Sequence, residues 1–180
     1  MGLGKSRRVA LAALFGVLIF ISKILMPTPI DKAVVVFQAL FLALSFLLLG
    51  FPGATLVALV GGLLTAIWRA PLAPITLTFA LLYGQLVDIF MLLFKVKAAS
   101  GDVKTGRLMV ALTLSTAVVG LTSYYVTVNI LPLLPRNPIL EISILVAGTI
   151  SGAVAGYLAA TIWRKALRHI MDAQAPVKDR

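Results

Sequence analysis

Apolar residues in this chain come in long blocks, not at the alternating or three-to-four spacing of a half-buried element. Six blocks, at 9–26, 33–50, 53–69, 72–94, 108–129 and 139–163, carry at most one charged residue each. Each comes close to the roughly 20 apolar residues that a helix needs to cross a bilayer. The breaks between them have their own chemistry. Phe51-Pro52-Gly53 reads as a tight turn, and Pro71 and Pro74 suit the first turn of a helix. MPTPIDK closes the first block and LPLLPRNP separates the fifth from the sixth; proline-rich runs of this kind cannot continue a helix. The pattern predicts an all-α integral membrane protein, a single domain over residues 1–180 folded as a bundle of six transmembrane helices. The 53–69 block is the shortest and is parted from the next only by Arg69-Ala70-Pro71.

The charges between the blocks orient the bundle. Placing the N-terminus inside puts Lys5, Arg7, Arg8, Lys95, Lys97, Lys104, Arg107, Arg164, Lys165, Arg168, Lys178 and Arg180 on the inner side, twelve of the sixteen Lys and Arg. Lys23, Lys32, Arg69 and Arg136 fall outside. Cytoplasmic loops attract such an excess, so both termini are expected in the cytoplasm, the last residues, 164–180, as a basic tail. The opening MGLGKSRR contains the Gly-Lys-Ser of a phosphate-binding loop, but that loop requires a second glycine five positions earlier, after a strand. That position falls before residue 1, and GLGKSRR reads instead as the first topological anchor. The first block is also longer than the apolar part of a signal peptide, and Ile24-Leu25-Met26-Pro27 offers no small-x-small cleavage site.

Composition agrees with the block pattern. Hydrophobic residues make up 61% and charged ones 12%, about half the usual share in a soluble domain. Mean hydropathy is +1.06. The net charge of +10 sits between apolar blocks and not along one face, which argues against nucleic acid as a partner. With no cysteine there are no disulfides, thiolate metal sites or cysteine nucleophiles. The single histidine, His169, lies beyond the last block, and no HExxH, Gly-x-Ser-x-Gly or close carboxylate pair appears. The chain is therefore read as a non-enzyme without cofactor or metal. An intramembrane enzyme without a recognisable motif, or a small assembly or structural protein, is the rival class.

Small residues mark where helices meet. Gly148, Gly152, Gly156 and Ala160 recur every four residues and so share one helix face, as do Ala12 and Gly16 in the first block, with Ala13 beside them. In lipid such faces let backbones approach closely, either inside the bundle or against another membrane protein. Polar residues inside the blocks are the functional candidates, because they are costly there. Asp88, with Gln85 a turn away, lies near the inner end of the fourth block and has three readings, a proton carrier, a partner for a nearby lysine or a cap for neighbouring backbone. The outer half holds Gln38, Trp68, Arg69, Thr76, Tyr83, Thr122, Tyr124, Tyr125, Asn129, Glu141 and Ser143. A few convergent polar groups in an apolar setting are what a small-molecule pocket requires. Gln38, Trp68, Tyr83, Tyr124, Asn129 and Glu141 are the expected substrate-binding set, with Tyr124 and Tyr125 not distinguishable as the inward ring. Glu141 is the strongest member unless it pairs with Arg136 or caps its own helix.

The basic start running into RRVALAALFGVL, the six blocks, FPGATLVALVGGLLTAIWRAPLAP and the glycine-rich last block together resemble the substrate-binding (S) components of energy-coupling-factor (ECF) transporters, over residues 5–168. The resemblance implies capture of a vitamin or vitamin precursor from outside. It also implies a shared module of one transmembrane coupling protein and two ATPase subunits, which would hydrolyse the nucleotide. The family's Ala-x-x-x-Ala contact with the coupling protein would correspond here to Ala12 and Gly16. FPGATLVALVGGLLTAIWRAPLAPITLTFALLYGQLVDIF looks most like members for hydroxymethylpyrimidine and related thiamine precursors. On that reading Glu141 would accept from an aminopyrimidine, and Trp68 or a tyrosine would stack on its ring. The Met-Gly start argues against the nickel and cobalt members, which use Met-His.

Overall fold

In the computed structural model, residues 5–25, 34–96, 103–130 and 136–167 are described. MPTPIDK, most of LPLLPRNP, Lys97, the first four residues and the tail beyond Leu167, with His169, lie outside them. Among the described residues there is no strand. Six α-helices follow one another: α1 (Lys5–Leu25), α2 (Val34–Leu49), α3 (Gly53–Trp68), α4 (Ala73–Leu93), α5 (Thr105–Tyr125) and α6 (Pro138–Ile162). One turn of π-helix extends α5 over Val126–Ile130 and another extends α6 over Trp163–Leu167. With these extensions α5 and α6, and α4 by itself, are long and apolar enough to cross a membrane. Their outward positions, among them Ile89, Val110, Leu114, Val118, Leu145, Ile150 and Val154, are exposed. So much exposed apolar surface is foreign to a soluble protein and suits lipid.

Local chemistry sets the helix ends. Gly50, at φ +68°, takes the left-handed conformation after α2, and its N–H returns to the Phe46 carbonyl at 2.8 Å. Arg8 of α1 reaches the same end of α2 and donates to the Leu49 carbonyl at 3.0 Å, a cation where a helix C-terminus favours one. Arg8 is thus a cap as well as a flanking charge. A short 3₁₀ turn, Ala70–Leu72, holds Pro71 and leads into α4. After α4, Lys95 adopts φ 50° and donates to Leu92 O, while Val96 donates to Met91 O, both at 2.9 Å. This paired closure normally uses glycine at the position of Lys95. Asn137 caps α6, its side chain accepting from the Ile139 N–H at 2.9 Å ahead of Pro138 at the first helical position.

α2 lies at the centre and touches all five other helices. That explains its sequence: a helix buried on every side is apolar all round. Leu42, Ala43, Ser45 and Leu47 are all fully buried, and Ser45 satisfies its hydroxyl on the Leu42 carbonyl at 2.7 Å. The remaining helices pair through small residues. Between α3 and α4 the contacts run in opposite directions in steps of four. A methyl added at Gly62 would lie 2.7 Å from the Ala80 Cβ, and one at Gly84 would lie 2.5 Å from the Ala58 Cβ. One step further, Asp88 meets the first turn of α3. Between α5 and α6, Gly152 faces Thr113 and Gly156 faces Met109, with added methyls 2.6 and 2.7 Å from their Cα atoms. The glycine face of α6 is thus used within the chain.

Candidate functional site

The tight α5–α6 contact slackens toward the end of the bundle where α1 ends and α2 begins. A methyl at Gly148 would stand 3.4 Å from the Thr116 carbonyl, ordinary contact distance, unlike the close approaches at Gly152 and Gly156. A cavity of about 380 Å³ begins there. Five helices line it and α3 does not. α1 supplies Lys23, and α2 supplies Val35 and Gln38. α4 presents Thr76, Phe79, Ala80 and Tyr83; α5 and its extension present Thr116, Val119, Gly120, Ser123, Tyr124 and Thr127; and α6 presents Ile144, Ala147, Gly148 and Ser151. Within α4, α5 and α6 these positions recur at three- and four-residue intervals, which is one face of each helix.

The polar groups of the lining fall into two sorts. Some are already engaged. Thr116 donates to the Leu112 carbonyl at 2.8 Å, so the 2.9 Å contact with Tyr83 is made with the tyrosine hydroxyl as donor. Thr127 donates to the Ser123 carbonyl, as hydroxyls in apolar helices commonly do. Tyr124 spans the α5–α6 corner, donating to the Asn137 carbonyl and accepting from the Asn137 N–H, both at 3.0 Å. The second sort is unused. Gln38 is 8% exposed and makes no hydrogen bond among the described residues, yet it lines the cavity. Its amide atoms are not sealed off, since among the described residues Trp163 Nε1 is the buried side-chain nitrogen or oxygen left without a partner, so the Gln38 carboxamide keeps its donor and acceptor capacity available. The Thr76, Ser123 and Ser151 hydroxyls also make no hydrogen bond among the described residues, and they line the same space.

Of the residues expected to bind substrate, Gln38, Tyr83 and Tyr124 are brought together here. Trp68 is 66% exposed at the end of α3, away from the lining. Asn129 is exposed in the π-turn after α5 and is also not among the lining residues. Glu141 lies in the first turn of α6 and is likewise absent from the lining, its carboxylate accepting from the Tyr125 hydroxyl. The two adjacent tyrosines are thereby distinguished: Tyr124 is buried toward the cavity and Tyr125 is turned outward to Glu141. Sequence reasoning missed Phe79, the one phenylalanine of the lining, together with Ser123, Ser151 and Lys23. The signal for Phe79 was present, since it falls between Thr76 and Tyr83 on one helical stripe.

Two further expectations meet a definite geometry. Asp88 is fully buried and accepts from the Ala54 N–H at 3.1 Å, the Thr55 N–H at 2.8 Å and the Thr55 hydroxyl at 2.6 Å. Pro52, at the N-cap position of α3, makes no side-chain cap, so a carboxylate from α4 does that work. Of the three readings of Asp88, the backbone cap is the arrangement seen. On α1, Gly16 is buried against α3, where a methyl would lie 2.7 Å from the Val60 Cβ. Ala12 is buried too, and only Ala13 of the three expected partner-contact residues is exposed. No known protein family, curated protein or solved structure matches this chain.

Proposed function

We propose that the chain is a membrane-embedded substrate-binding subunit that takes a small solute into the five-helix cavity. The observation that carries the reading is Gln38, a largely buried residue that makes no hydrogen bond among the described residues and lines a cavity of about 380 Å³, within the usual size range of small-molecule sites. The twelve-to-four split of Lys and Arg supports six spans with both termini cytoplasmic, which would set the cavity end outward. The sequence resemblance supports an S component of an ECF importer for a vitamin or precursor, with hydroxymethylpyrimidine-type compounds foremost. A coupling protein and two ATPases would then do the work of transport.

The chain has no cysteine, so Ser123→Cys introduces a single thiol at the cavity wall. Small neutral thiol reagents added outside intact cells should modify it, and a retained or added solute should protect it. A thiol reached only from the cytoplasm, or not at all, overturns the reading. The partner question is separate. Gly16 is occupied by α3, so a bulky residue there would disturb the fold itself. Ala13→Leu, on exposed surface, should weaken copurification with a coupling protein and its ATPases while leaving the melting temperature unchanged. Undiminished copurification would remove this face of α1 from the partner contact.

A further inference from the structure

At the end of the bundle opposite the cavity, the outward apolar faces of three helices each run into an exposed cation. On α1, Ala10, Leu14, Val17 and Ile21 are exposed at three- and four-residue steps, and Arg7 continues the same stripe. On α5 the exposed stripe runs Val118, Leu114, Val110 and then Arg107. On α6 it runs Ile150, Val154, Leu158 and, two turns on, Lys165. At the cavity end the same three stripes run instead into Ile24, Tyr125 and Ile142, all exposed and none charged at the first contact with solvent. We propose that the basic end selects anionic phospholipid, whose acyl chains lie along these stripes and whose phosphate meets the terminal cation. The inference is independent of the cavity and its solute.

The charge of this end is uncompensated within the chain as described. Only two carboxylates lie among the described residues, and Glu141 is at the cavity end. The other, Asp88, is fully buried and turned into the first turn of α3. Two cations of the basic end are used internally, Arg8 on the Leu49 carbonyl and Arg164 on the Ala160 carbonyl. The side chains of Arg7, Arg107 and Lys165 make no hydrogen bond or ion pair among the described residues, and all three are exposed. A lipid with a net negative headgroup supplies the missing charge at the depth where the apolar surface stops. A zwitterionic headgroup fits the same stripes but brings its own cation, so it gains less. Tyr157, 56% exposed beside Leu158, adds the amphipathic ring that suits a headgroup boundary.

Native mass spectrometry of the purified full chain tests this. In a neutral detergent the chain is given equal amounts of phosphatidylglycerol and phosphatidylcholine with the same acyl chains. Retained phosphatidylglycerol should exceed phosphatidylcholine about fivefold, the factor for one cation near an anionic lipid. The triple substitution Arg7→Gln, Arg107→Gln and Lys165→Gln should bring the two lipids to parity at an unchanged melting temperature. The charge-keeping pair Arg7→Lys and Arg107→Lys should preserve the excess, and so should Arg136→Gln at the cavity end. Equal retention of the two lipids by the wild type overturns the proposal. An excess kept by the triple variant overturns it too, and leaves the cations to an acidic protein surface. An excess lost in the charge-keeping pair or in Arg136→Gln does the same, since charge at this end would not be what is read. If soluble glycerol phosphate displaces the retained phosphatidylglycerol, the site reads a free phosphate without the apolar stripes, and the lipid assignment falls.

Discussion

Replacing Asp88 tests whether a carboxylate deep in α4 holds α3 in place. Asp88→Ala would leave the Ala54 and Thr55 N–H groups without an acceptor at a site that is fully buried. At about 1–3 kcal/mol for each orphaned donor, the expected loss is about 2–6 kcal/mol. Asp88→Asn keeps one carbonyl oxygen for one N–H but turns an NH₂ toward the other, so about half that loss is expected, about 1–3 kcal/mol. Losing the negative charge at the helix N-terminus acts in the same direction. Unfolding in detergent, followed by helical circular dichroism, should rank wild type above Asn and Asn above Ala. Solute binding by the fraction still folded should be nearly unchanged, because Asp88 is not part of the lining. Two variants that unfold at the wild-type point would refute the cap argument. If Asp88→Asn instead abolished uptake at undiminished stability, the carboxylate would be a proton carrier.

The glycines of α6 should separate in the same assay: Gly152→Ala, driven against Thr113, should cost about 1–3 kcal/mol, while Gly148→Ala should fold normally and reduce binding by shrinking the cavity. Equal stability losses at the two positions would refute the slackening of the α5–α6 contact. Lys95→Gly relieves a side chain held at φ 50° after α4 and should raise stability by about 1 kcal/mol, and a lower melting temperature would refute the capping assignment.

Helix boundaries were legible in the sequence to within three residues at most of their ends, because long uncharged runs broken by proline and glycine leave little choice. α3, the shortest of the blocks in the sequence, forms over Gly53–Trp68 where 53–69 was expected. The direction each helix faces was much less legible. Apolar residues surround every helix, so the pattern carries little information about which side meets protein and which side meets lipid. Depth could be counted from the ends, and it brought Gln38, Tyr83 and Tyr124 to the level of the cavity. Trp68 and Glu141 were placed by the same count, yet one is exposed at the end of α3 and the other is bonded to Tyr125. Asp88 shows the same limit. Its three readings were all visible, but the choice depended on which turn of which neighbour lay opposite.

The absence of α3 from the cavity wall has a consequence for how such a protein could change over generations. The interlocked contacts of α3 with α1 and α4, sealed by Asp88, occupy positions outside the cavity wall. Substitutions at Val35, Phe79, Ser123, Ile144 or Ser151 would reshape the chamber without disturbing that interlock. On the proposed reading, foldability and ligand choice would therefore be written largely in separate sets of residues. If the chamber does hold a solute, a lineage carrying this architecture could drift from one solute to another by a few lining changes, without passing through a misfolded intermediate.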